Sequence, residues 1–255
     1  MDTLLRDLRY GFRVFAKNPD FSSIAIITLA LGIGANTAIF SVVNAALLRP
    51  LPYQDPDRLV YVWSAEKARG INQSTVSIPD LRDWRQQNRV FDGMVGWWSG
   101  RYNLSGGDEP QQVSGWTVSP NFFEVFGAQP ELGRTFAPNE DQGAKELVVL
   151  SHSLWIGSFA GDPRILGRTI IIDSEPRIVF GVMPAEFSSP FPDVQLWVPW
   201  PARVESMAQR GYRFMRVVAR LKPGVTVEHA QAEIDTTSRQ LAQTPSIDGQ
   251  PRELA

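Results

Sequence analysis

Residues Phe21 to Leu48 read FSSIAIITLALGIGANTAIFSVVNAALL and carry no charged side chain. At about 1.5 Å per residue, a helix of about 28 residues reaches about 40 Å, enough to cross a hydrocarbon core of about 30 Å with tilt. The apolar region of a secretory signal is usually only about 7 to 15 residues long. A buried core helix would show polar positions on its outer face, whereas Ile24 to Leu31 offers only Thr28. The expectation is a transmembrane helix over residues 21–48.

Working outward, Arg6, Arg9, Arg13 and Lys17 precede this stretch, and only Arg49 and Arg58 follow at comparable distance. Juxtamembrane Lys and Arg stay on the cytoplasmic side, so the amino terminus is expected inside and residues 49–255 exported. Leu4, Leu5, Leu8, Phe12 and Phe15 recur at helical spacing with the arginines turned away, which predicts a cytoplasmic interfacial helix over residues 1–20. Asn18-Pro19-Asp20 breaks it and starts the next helix. Within the span, Ala30, Gly34 and Ala38, joined by Thr37, Ser41 and Asn44, form a stripe of small or mildly polar residues. Such a face lets helix backbones approach closely, so it is the candidate helix-packing surface. The same residues are also simply common in membrane helices.

The chain has 255 residues, a net charge of -2 and no cysteine. Removing the anchor leaves about 200 residues, enough for one large domain or two joined small ones. Basic residues are scattered, so no nucleic-acid footprint is expected. Without cysteine there are no disulfides and no thiolate chemistry.

After the span, Pro50, Pro52 and Pro56 predict a short stiff exit. Leu59 to Trp63 reads as a buried strand, Glu66 to Thr75 as a polar loop, and Pro79 to Gln87 as a helix capped near Ser77 or Ile78. Leu81, Trp84 and Asn88 would face the core. Phe91 to Leu104 follows as a strand interrupted by glycines, completing β-α-β. Beyond Gln112, short strands (residues 113–118, 147–150, 169–172 and 177–182) and brief helices (residues 120–125 and 153–159) suggest an inserted α+β subdomain. Pro184 to Pro201 reads as irregular chain. Tyr212 to Leu221 reads as a strand, and Thr226 caps a helix from Val227 to Ala242 with Ala230, Ile234 and Leu241 on one face.

Little chemistry is on offer. Gly32-Ile33-Gly34 lacks a third glycine and follows no strand, so it is not a phosphate loop. There is no Gly-x-Ser-x-Gly elbow, and His152 and His229 fall in different regions. Asp108-Glu109 and Glu140-Asp141 lack the alternating ligands of a calcium loop. Trp97, Trp98, Trp197 and Trp200 either line a groove for an apolar ligand or cover subdomain seams, and the second reading is preferred because no polar cluster converges on them. No catalytic, cofactor or metal residues are expected.

Several phrases resemble one family, the membrane-anchored periplasmic core domain of MacB-like ABC transporter permeases, including orphan permeases without their own ATPase. They include Leu8-Arg9-Tyr10-Gly11, Leu29 through Asn44, Leu48-Arg49-Pro50-Leu51-Pro52-Tyr53, Leu132-Gly133-Arg134, Gly161-Asp162-Pro163, Leu166-Gly167-Arg168, Gly181-Val182-Met183-Pro184 and Arg220 through Thr226. The resemblance implies an α+β fold: an N-terminal transmembrane helix, then a periplasmic core domain of porter-like β-α-β units (about residues 57–110 and 205–245) with an inserted mixed α+β subdomain (about residues 111–204). It further implies a non-catalytic inner-membrane component. Its implied partners are a cytoplasmic ABC ATPase in trans, further permease helices in a dimeric assembly, and a periplasmic adaptor or outer-membrane channel. Relatives continue into a further membrane domain, so a truncated fragment is the expectation. The alternative function is a membrane-tethered periplasmic ligand-binding or sensor domain; an anchored hydrolase lacks a nucleophile and base.

Overall fold

Helix α1 (Pro19–Val43) starts at the proline that the sequence marks, a residue suited to a first turn because its missing N–H would be unpaired there anyway. A computed structural model describes residues 19–43, 53–66, 70–105, 110–137, 146–188, 194–201, 209 and 211–243. The interfacial helix expected over residues 1–20, apart from its last two positions, and the last residues of the expected span lie outside this set. Residues 1–50 and 51–255 form two compact units. In the first, Ser22–Ser41 is long and apolar enough to cross a membrane, with mean hydropathy 1.9. Its large apolar side chains, Ile24 to Phe40, are each more than half exposed.

The second unit is built on a nine-stranded mixed sheet. Its strands are β1 (Leu59–Val62), β4 (Phe91–Ser105), β5 (Gln111–Val118), β6 (Leu132–Gly133), β7 (Leu147–Leu150), β8 (Thr169–Ile172), β9 (Glu175–Val182), β10 (Leu196–Pro199) and β11 (Arg216–Leu221). The order is β1-β11-β4-β5-β10-β7-β9-β6, and β8 pairs with both β4 and β9. That double pairing closes β4, β5, β10, β7, β9 and β8 into a ring. A separate hairpin joins β2 (Ser64–Glu66) to β3 (Ile71–Ser74).

Among the described residues five α-helices accompany the strands: α2 (Ile78–Gln87), α3 (Phe122–Phe126), α4 (His152–Phe159), α5 (Ala185–Ser188) and α6 (Val227–Gln243). Ser77 caps α2, accepting from the Asp80 amide at 3.2 Å while its hydroxyl donates to Asp80 Oδ2 at 2.6 Å. Ser151 caps α4 by accepting from Leu154 N at 3.1 Å, and Thr226 caps α6 through His229 N at 3.3 Å.

Three apolar cores hang on the sheet, and β4 touches all of them. Its odd residues Val95 and Trp97 join an aromatic core with Trp116, Phe122, Phe123, Phe126, Phe187 and Trp197. On its other face, Met94 belongs to a second core with Leu81, Trp84, Met215, Val217 and Ala230, and Leu104 to a third inside the ring. The period of two along the strand places these sets on opposite faces.

The structure corrects several expectations. Pro184 to Pro201 is not irregular throughout: β10 lies between β5 and β7, parallel to the first and antiparallel to the second, with all four residues buried. The flanking prolines hide it, yet Pro199 is tolerated because it closes the strand. The polar loop after Glu66 forms one side of the β2–β3 hairpin. Asn88 does not face the core; its side chain accepts from Val90 N and Phe91 N at 3.0 and 2.7 Å, ending α2 as an Asx turn. The strand expected from Tyr212 begins at Arg216, preceded by a bridge between Met215 and Val76. Helix α3 starts two residues later than expected, at Phe122.

Candidate functional site

The predicted helix-packing residues Ala30, Gly34, Thr37, Ala38 and Ser41 all lie on α1 and are exposed; Asn44 lies outside the described residues. The Thr37 hydroxyl donates to Ile33 O at 2.8 Å, so its polar group is satisfied within the helix, and Gly34 has open space where a Cβ would stand. Such a face is available for close helix approach.

The tryptophans split into two classes. Trp97 and Trp197 are 1% and 0% exposed and belong to the aromatic core. Trp98 and Trp200 instead pack on the second core, their rings 6.0 Å apart, with Phe214 edge-on to Trp98 at 5.1 Å. Next to them, at the mouth of the strand ring, is an open groove of about 270 Å³ lined by Trp98, Tyr102, Thr117, Glu175, Arg177, Val198, Pro199 and Pro201. The Tyr102 ring lies over Gly115, where a Cβ would approach it to 2.8 Å. Its hydroxyl shares a 2.7 Å hydrogen bond with Thr117 Oγ1. Burial pushes the Tyr102 phenol upward, partly offset by that bond and by Arg177. Arg177 donates to Glu175 at 3.1 Å, so the groove pairs one cation and one anion with aromatic and proline walls.

A second cluster stands where the chain leaves the residues after α1. Tyr53 is 8% exposed, its ring edge-on to Phe126 at 4.9 Å and Phe187 at 5.6 Å. Burial raises its pKa far above the ordinary tyrosine value. Five residues on, Arg58 donates to Leu221 O through Nε at 2.8 Å and Nη2 at 2.6 Å, and also pairs with Asp55 and Asp92. Arg220, 8% exposed, donates to Val125 O at 2.7 Å and to Asp55 O at 3.3 Å. Burial lowers the Arg220 pKa, with a further push from the neighbouring Arg58 charge. The cleft over them holds about 240 Å³ and also takes in Gln54, Gly93 and Glu124.

The titratable candidates do not converge. His152 Nδ1 lies 2.8 Å from Glu131 Oε2, with Trp155 beside its ring, and His229 sits on the exposed first turn of α6. Asp108-Glu109 and Glu140-Asp141 lie outside the described residues. Among the described residues no group of three or more His, Asp or Glu could hold a metal. Reading the sequence did not single out Arg220, Tyr102 or Arg177 as site residues. The one signal was Arg220 as the lone charge inside the apolar run Val217 to Leu221, a charge that only a built set of acceptors could accommodate.

Comparison with known proteins decides what this framework is. The model of the MacB-like periplasmic core domain matches residues 22–237. The chain belongs to this family. A macrolide export ATP-binding/permease protein MacB from Burkholderia thailandensis is 35% identical over 91 residues, covering 34% of this chain and 14% of that protein. The MacB protein of Salmonella paratyphi A is 24% identical over 120 residues, 46% of this chain and 18% of that protein. The matches thus span less than a fifth of these relatives' length. Among solved structures, the periplasmic region of MacB from Actinobacillus actinomycetemcomitans superposes with TM-score 0.57 at 17% identity, covering 72% of this chain and 84% of that one. The extracellular domain of the ABC-type transporter YknZ gives TM-score 0.51 at 14% identity, covering 72% and 92%. At these identities the likeness shows the fold. The MacB-like fold and the apolar helix α1 together describe an inner-membrane protein with a periplasmic permease domain, as the sequence reading expected.

Proposed function

We propose that this chain is the non-catalytic permease component of a MacB-like ABC transporter, and that it couples a cytoplasmic ATPase acting in trans to the periplasmic domain. One observation carries this reading. Tyr53, the first described residue after α1, is already a core residue, wedged between Phe126 and Phe187. A chain that enters its domain through a buried aromatic cannot slide freely, so displacement of the preceding residues acts on the folded unit. The porter-like parts at about residues 57–110 and 205–245 would pass that displacement to the inserted part at about residues 111–204 through β4, which pairs with β11 and with β5. The α1 stripe of Ala30, Gly34, Thr37, Ala38, Ser41 and Asn44 is the face offered to further permease helices in a dimeric assembly, and a periplasmic adaptor or outer-membrane channel is the partner expected outside. The test is purification from membranes in mild detergent. Recovery of an ABC ATPase and further permease helices supports coupling, and recovery of the lone chain overturns it.

A second reading is favoured by the groove at the ring mouth, where Trp98, Pro199 and Pro201 provide apolar walls and Arg177 and Glu175 a polar pair. Mouths of closed strand rings are common ligand sites. In this reading the chain is a tethered periplasmic sensor for a small amphipathic molecule. Tryptophan fluorescence titrated with zwitterionic aromatic amphiphiles tests it: saturable change abolished by Arg177→Met supports the sensor, and no change eliminates it.

A further inference from the structure

Strands β1 and β11 are antiparallel neighbours at one edge of the sheet, and their register pairs Leu59 with Arg220 and Val62 with Val217. The chain therefore enters β1 at Leu59 directly beside the point where it leaves β11 at Leu221. Tension between the start of β1 and the end of β11 pulls on one end of a four-residue ladder. In that geometry the hydrogen bonds break in succession from the fork inward, instead of resisting together as they do in shear. Unaided, an edge strand of four residues is a weak place at which to apply a pull.

Arginines sit across that fork. Arg58, the residue before β1, makes two hydrogen bonds to the carbonyl of Leu221, the residue that ends β11. That carbonyl lies where the β11–β4 ladder shifts register between Arg220 and Leu221, an irregularity of the kind that turns backbone groups away from the ladder. Arg58 also reaches Asp92 on β4. Arg220 reaches the other way, from β11 to the Asp55 carbonyl ahead of β1 and to the Val125 carbonyl at the end of α3. The two side chains thus cross-link the segment Asp55–Arg58 to β11, β4 and α3, and charged donors of this kind form the stronger class of protein hydrogen bonds.

We infer that Arg58 and Arg220 are positioning residues that clip the β1–β11 fork, so that displacement arriving from the membrane side moves β11 and β4 instead of peeling β1 from the sheet. The inference rests on the coupling reading proposed above. It fails separately from that reading, because the clip is measured on the isolated chain and the coupling on the partners it recovers.

The chain contains no cysteine, so handles can be placed at will. Gln54→Cys and Glu228→Cys, both exposed positions on either side of the fork, attach the full detergent-solubilised protein to a single-molecule force instrument. With both arginines present, no extension should precede opening of the folded unit. With Arg58→Met or Arg220→Met, an early low-force step should appear that frees about eight residues, about 30 Å at about 3.5 Å each. The double variant should give the same early step as the weaker single variant, since the two act on one fork. A residue that merely stabilises the core would lower the force of the main opening without adding a step. That outcome, or an unchanged trace, overturns the inference. Should either Met variant fail to fold, Arg58→Lys and Arg220→Lys keep the charge with fewer donors; an early step at intermediate force supports the clip, and its absence overturns it.

Discussion

Gly127 makes a demanding test of how the first residues of the periplasmic unit are seated. It ends α3 in the left-handed region at φ 64°, with its amide donating to Glu124 O at 2.9 Å and the next amide, of Ala128, to Phe123 O at 2.9 Å. A Cβ at this position would stand 2.5 Å from Gln54 Cβ and 3.4 Å from Gln54 N. Left-handed backbone costs a non-glycine residue about 1–2 kcal/mol. Displacing Gln54 is not a matter of rotating a side-chain tip, because the atom in the way is bonded to the main chain, and overpacking of this kind costs about 1–3 kcal/mol. Gly127→Ala should therefore destabilise by about 2–5 kcal/mol in total. With a urea slope of about 2 kcal/mol/M, the unfolding midpoint should fall by about 1–2.5 M. Gly127→Asn tolerates the dihedral but keeps the collision, so it should lose about half as much. Gly157 supplies the opposite sign: it is exposed within α4, nothing lies within 4 Å of its added Cβ, and Gly157→Ala should gain about 0.5–1 kcal/mol. A Gly127→Ala midpoint within the scatter of the wild type, or a Gly157→Ala loss of similar size, would refute this reasoning.

Ser77→Ala removes the cap of α2 and should cost about 1 kcal/mol in urea unfolding, with Ser77→Thr largely restoring it. Burial raises the phenols of Tyr53, Tyr61 and Tyr102. Because neutral tyrosine is what the fold favours, the stability they contribute is complete below the unfolded value of about 10 and is lost as pH rises towards the folded values. Phenolate absorbance should show these three ionising late, Tyr53 only with alkaline unfolding. In the first unit, Leu31→Arg adds about 2.5–3.5 kcal/mol to insertion and should shift the chain into the alkaline carbonate supernatant, where the wild type stays in the pellet.

What could be read in advance followed from local signals. The cap at Ser77, the punctuation at Pro79, and the apolar runs of β4, β7 and β9 placed most elements close to their observed limits, because each depends on residues within a few positions of one another. Strand β10 escaped because the four residues Leu196 to Pro199, the last a proline, carry too little periodicity to declare a strand. What makes it one is non-local: Leu196 and Trp197 find edges on β5 and β7, strands from distant regions of the sequence. The closed ring was invisible for the same reason, since β8 meets β4 through only Leu104–Ile172 and Ser105–Ile171. The arginine cluster was hidden more deeply. Composition treats a charge as a surface residue, and only the arrangement of the carbonyls of Val125, Asp55 and Leu221 shows why Arg220 can be buried and Arg58 drawn inward.

The long strand β4 ties these regions into one mechanical element. Its first half pairs with β11, from Phe91 to Trp97, and its second half with β5 and β8, from Trp97 to Ser105. At about 3.4 Å per residue its fifteen residues extend about 50 Å, paired along nearly all of that length with one neighbouring strand or another, and the β11 and β5 ladders meet at Trp97. Side chains on its two faces enter all three cores, so bending it would open packing in each, and close-packed interiors resist that. A displacement handed to β11 and β4 at the Arg58–Arg220 fork therefore reaches the ring and its mouth groove through a single continuous backbone. Transmission fails only where that backbone is not gripped, and the described grips ahead of β1 are Tyr53 in the aromatic core and the two arginines behind it. The fork is consequently the point at which a mechanical reading of this domain is most exposed to experiment.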